Sequence, residues 1–174
     1  MKRGRALSFK QKTTNLYCFT MNAMELEPLC YVEPATRDNT KDLQRVTEPS
    51  RLKEIADYLN SGERAILPNN IILNLKPEVT VEDNGDGTVT LVFPENEGDF
   101  GFVVDGQHRL FSFADDYREL PSTANFELPV VTLHNATEEM VGQTFVEINV
   151  NQKPVNTDLL TQMKAILGLL DTDY

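Results

Sequence analysis

Residues 105–109 read Asp105-Gly106-Gln107-His108-Arg109, five positions that put an acid, an amide, an imidazole and a guanidinium around one glycine. The apolar run from Phe100 to Val104 before them has the make-up of a buried strand. After them Leu110, Phe111, Phe113, Ala114 and Tyr117 recur at helical spacing. A helix entered directly from a strand leaves unpaired backbone N–H groups at its start and carries partial positive charge there, which suits an anion. Gly106 allows close backbone approach, Arg109 offers a planar fork of donors matched to phosphate, and His108 adds a donor near pH 7. The chemistry these types imply is recognition of a phosphoryl group. Asp105 opposes a bare anion, so its expected role is to cap the helix or to hold a Mg²⁺ that the phosphates share. The plainer alternative is a capped strand-to-helix turn whose His108 and Arg109 face solvent or an internal acid.

The elements that must hold this bend are legible in outline. Leu16 to Thr20 reads as a first strand, and residues 33–48 as a polar loop. Leu52, Ile55, Tyr58 and Leu59 mark an amphipathic helix capped by Ser50 and stopped by Asn60-Ser61-Gly62. Residues 65–75 read as a buried strand interrupted at Pro68-Asn69-Asn70. The runs 79–81 and 88–93 form a hairpin around Asp83-Asn84-Gly85-Asp86-Gly87. A calcium loop fails there, because the twelfth position, where a Glu belongs, is Phe93. Residues 128–133 read as a further strand. A helix opens at Thr137 and runs through Ile148 to a polar break at residues 149–154, and a last helix capped by Thr157 or Asp158 follows. That helix is apolar on more than one face through Leu159, Leu160, Met163, Ile166, Leu167, Leu169 and Leu170, so a homo-oligomer or a partner protein is expected against it. His134, with no acid or Cys beside it, is read as a strand-end residue without chemistry.

Composition narrows the class. The 174 residues are 40% hydrophobic and 25% charged, which fits one folded domain and excludes disorder and collagen-like repeats. Lys2, Arg3, Arg5, Lys10 and Lys12 stand in the first twelve residues without an acid. The formal charge of −11 for the whole chain therefore becomes −16 without them. Residues 1–15 are read as a basic flexible arm and residues 16–174 as the domain, whose apolar last helix leaves two alternatives: a neighbouring subunit covers it, or the chain is the N-terminal part of a longer ancestral protein. Coating of nucleic acid by bulk charge is excluded, and only weak, salt-sensitive DNA contact is expected. No apolar leader follows the early cations and no stretch reaches membrane-spanning length, so a cytoplasmic protein without membrane contact is expected. Cys18 and Cys30 fit neither zinc nor redox spacing and read as small hydrophobes.

The segment 103–110 resembles the signature of the DGQHR-domain family, within the ParB/sulfiredoxin-like superfamily. Phe145-Val146-Glu147-Ile148-Asn149 and Gln152-Lys153-Pro154-Val155 resemble the family's later segment, so the likeness spans roughly residues 16–160. The resemblance implies an α+β, mixed α/β fold: a small mixed sheet flanked by helices, with the signature at a helix start. It implies nucleotide-phosphate binding with Mg²⁺ and ATP or CTP, and hydrolysis in some members. DndB-like relatives occur with DNA phosphorothioation, and others with phage defence. Gln107 stands where sulfiredoxins carry cysteine, so sulfur chemistry is not expected. Carried over as roles, Gly106 cradles phosphates, His108 and Arg109 neutralise developing charge, Gln107 orients water, Asp105 places metal or water, and Asn149, Asn151 and Lys153 close over the nucleotide. The competing expectation is a DNA-associated regulator or assembly module without turnover.

Overall fold

The computed structural model describes residues 2–32, 47–62, 65–95, 99–118, 125–151 and 157–166. Strand β1 (Lys2–Gln11) turns at Lys12, held at φ 53°, into β2 (Thr14–Asn22). Helix α1 (Ala23–Leu26) is capped by the Asn22 side chain, which accepts from the Met24 N–H at 2.9 Å, and leads through a 3-10 turn to β3 (Cys30–Tyr31). Then come α2 (Pro49–Asn60), β4 (Ile71–Leu75), β5 (Thr80–Asp83), β6 (Thr88–Phe93) and β7 (Gly101–Asp105). The chain continues as α3 (Gln107–Phe111), β8 (Glu127–His134), α4 (Glu138–Asn151) and α5 (Thr157–Ile166).

All eight strands join one sheet in the order β3-β7-β4-β8-β2-β1-β6-β5. Pairing is parallel at β3/β7 and β4/β8 and antiparallel elsewhere, so the architecture is the mixed α+β sheet with helices that the sequence implied. Period-two burial fixes the register: Ile71 and Leu73 of β4 lie opposite Val130 and Thr132 of β8, all four buried. Leu59, Leu110 and Phe113 close that core from α2, α3 and the turn after it, while α4 packs on β7.

The first residues differ from expectation. Lys2–Gln11 form no arm; β1 lies between β2 and β6 and pairs with both. Three of its cations pair with acids elsewhere in the fold, Lys2 with Glu25 of α1, Arg3 with Glu82 of β5 and Arg5 with Asp86 of the hairpin turn, and Ala6 is buried in the core. Local composition cannot show such partners. Helix α2 starts two residues earlier than read: Glu48 is its N-cap and Pro49 its first residue, so Ser50 does not cap it. Strand β4 begins only at Ile71. The segment before it runs alongside α2, where the Tyr58 hydroxyl accepts from the Ile66 N–H at 3.1 Å. Helix α3 stops at Phe111 rather than continuing through Tyr117, because Phe113 and Ala114 bond back three residues, and the Ser112 hydroxyl takes the Arg109 carbonyl. The hairpin is as read, with Gly85 and Gly87 at φ 76° and 80°. The polar loop of residues 33–46 lies outside the described residues.

Candidate functional site

Strand β7 delivers the pentapeptide through a bulge. Ile72 of β4 pairs with Asp105 and Leu73 with Val103, which leaves Val104 as an extra residue. A bulge bends its strand and re-aims the side chain that follows, here Asp105 at the strand's end. Gly106 then sits at φ 93°, and a Cβ there would come within 2.8 Å of Ile71 Cδ1 and 3.0 Å of Arg109 Nη2. Glycine is therefore demanded by the left-handed turn and by the packing of Ile71, independently of any ligand.

Arg109 is the hub. Its Nη2 donates to the Asp105 carboxylate and to the Asn70 carbonyl, each at 3.0 Å, while its Nε is buried without a partner among the described residues. The Asp105 and Arg109 side chains are each 25% exposed, so the pair sits at the surface of the core rather than inside it. A buried N–H that no protein group satisfies is an uncommon feature and marks where an acceptor is wanted. His108 faces the other way: its Nε2 accepts from the Glu48 N–H at 3.2 Å, which ties the bend to the N-cap of α2. That contact requires a lone pair on Nε2, and so places the ring proton of a neutral imidazole on Nδ1. Gln107 opens α3 and is half-buried. With only five residues, α3 supplies little macrodipole, and the positive character of the bend rests on Arg109.

The remaining predicted residues divide. Asn149 lies in the last turns of α4 rather than in a polar break, and its Nδ2 donates to the Phe145 carbonyl at 2.8 Å. Asn151 ends the same helix, and Lys153 lies outside the described residues. Among the described residues no group of three His, Cys, Asp or Glu side chains could hold a metal ion. Asp105 Oδ2 accepts from Arg109 Nη2, so a cation reaching that carboxylate meets a like charge beside it. His134 is structural, with Nε2 2.7 Å from the Val79 carbonyl. Cys30 is buried, and burial pushes its thiol far above the ordinary range, while Cys18 is partly exposed.

Sequence reasoning missed Asn70, Glu48 and Asn74. The first two act through main-chain atoms, which carry no letter. Asn74 accepts from the Ala136 N–H at 3.0 Å and donates to its carbonyl at 3.1 Å, which fixes the turn between β8 and α4. No candidate membrane-spanning helix occurs among the described residues.

A family model described as DndB, DNA-sulfur modification-associated, matches residues 5–163. No curated protein and no solved structure matches the chain.

Proposed function

Since the chain belongs to the DndB family, which is DNA-sulfur modification-associated, we propose that within such a system its 105–109 bend binds the phosphoryl group of a nucleoside triphosphate. One observation carries the reading: Arg109 is held at the end of β7 with a buried Nε that lacks an acceptor and a guanidinium still partly open to solvent. Phosphate supplies acceptors in the planar geometry a guanidinium prefers. The likeness of the pentapeptide to ParB/sulfiredoxin-like loops supports the same ligand. Binding requires the anion to share or displace Asp105 on Nη2, so that acid sets the affinity. Because Asp105 is engaged by Arg109, the arrangement favours retention of nucleotide over turnover, and Mg²⁺ arrives with the phosphates rather than waiting in the protein.

Titration of ATP and CTP, with and without Mg²⁺, into wild type and Arg109→Ala by calorimetry tests this. Loss of a charge-assisted contact weakens binding about tenfold or more. Equal affinity in the two proteins, or no binding in either, overturns the reading, and phosphate release measured alongside separates binding from hydrolysis.

A further inference from the structure

Helices α4 and α5 leave apolar surface uncovered. Val146 and Val150 are 46% and 73% exposed at a four-residue spacing, and Leu159, Met163 and Ile166 follow at four and three. Every described side chain of α5 is exposed. Along the outer side of α4 a groove with a cavity volume of about 370 Å³ opens beside the buried Gly142. Glu138, Glu139, Gln143 and Glu147 rim it and Val146 contributes apolar wall. Soluble chains rarely leave such stripes bare unless something docks on them.

Charge identifies the occupant. Residues 138–151 contain three glutamates and no cation. A second copy meeting this face across a two-fold axis sets glutamate against glutamate, on a chain whose formal charge is already −11. A partner with apolar residues on one side and Lys or Arg on the other meets no such opposition. We propose that the α4 face docks a basic amphipathic helix of another protein, its apolar stripe on Val146 and Val150 and its cations on Glu138 and Glu139.

The probe is a fluorescent designed helix with leucines on one face and lysines on the other, measured by anisotropy against a counterpart carrying glutamate for each lysine. The lysine peptide binds the full chain and the glutamate peptide does not. Glu138→Lys with Glu139→Lys, and separately Val146→Asp with Val150→Asp, each weaken it at least about tenfold. Glu54→Lys with Glu78→Lys, which change the net charge equally at exposed sites elsewhere, leave it unchanged. All six positions are exposed, and circular dichroism confirms that each variant folds. Equal loss in the distant pair shows attraction to bulk charge only and overturns the proposal. Sedimentation showing a dimer that Val146→Asp with Val150→Asp dissolves assigns the face to a second copy and overturns it as well.

Discussion

At Arg109 two demands meet: the guanidinium must stay where an anion can reach it, and it must not lie uncompensated in a partly buried position. Asp105 answers the second at the expense of the first. Asp105→Asn leaves the shape of the bend intact and removes the competing charge. Inorganic phosphate and metal-free ATP should therefore bind a few-fold to about tenfold more tightly, the gain being limited by solvent screening at these half-open side chains. Weaker binding of metal-free nucleotide by Asp105→Asn contradicts the competition. A second residue carries a pH signature. Burial, helped by the neighbouring charge of Asp115, raises the Glu27 carboxyl above its usual range. The folded state then holds that proton to higher pH than the unfolded chain does, so this group's contribution to stability falls as pH rises through the raised value. Glu27→Gln should raise Tm at pH 7 and leave it unchanged below pH about 4, where both states are protonated anyway. The residue types of the bend were legible because side chains carry them. Its anchors, the Asn70 carbonyl and the Glu48 N–H, are main-chain atoms, and no reading of letters at those positions could point to them.

Elements were legible in proportion to how much of their signal is local. The hairpin β5–β6 announces itself through Asn84-Gly85 and Asp86-Gly87, whose positive φ angles the structure requires. Strand β8 and helices α2 and α4 follow from periodicity, with ends shifted by a few residues. The start of β4 and the early stop of α3 depend on what lies alongside: Tyr58 takes the main chain at Ile66, and Ser112 takes the Arg109 carbonyl. Asn74 shows how one such contact places a whole helix. Its amide satisfies both main-chain groups of Ala136, just before α4. Asn74→Ala strands those groups and should lower stability by about 1–3 kcal/mol in urea denaturation. An unchanged midpoint shows that water replaces the amide.

Across the whole molecule the sheet has one joint that sequence reading overlooked. Strands β6 and β5 reach the rest of the sheet only through β1, because the order runs β2-β1-β6-β5. The cations of β1 were read as a tail because their acids, Glu25, Glu82 and Asp86, lie far along the chain. Removing residues 1–12 should therefore abolish cooperative unfolding and leave an aggregating chain, whereas a dispensable arm leaves the melting curve unchanged. Among the described residues, β1 contributes more to the architecture than to any surface charge.

The same joint bears on synthesis. The β1–β2 ribbon leaves the ribosome with both flanks bare: β6 emerges only after α2, β4 and β5, and β8 only after β7 and α3. During that interval two lengths of unpaired backbone stay available to any other nascent strand. The lysines and arginines along β1 then repel one another between copies until their acidic partners have been made, which guards the ribbon against self-association while it waits.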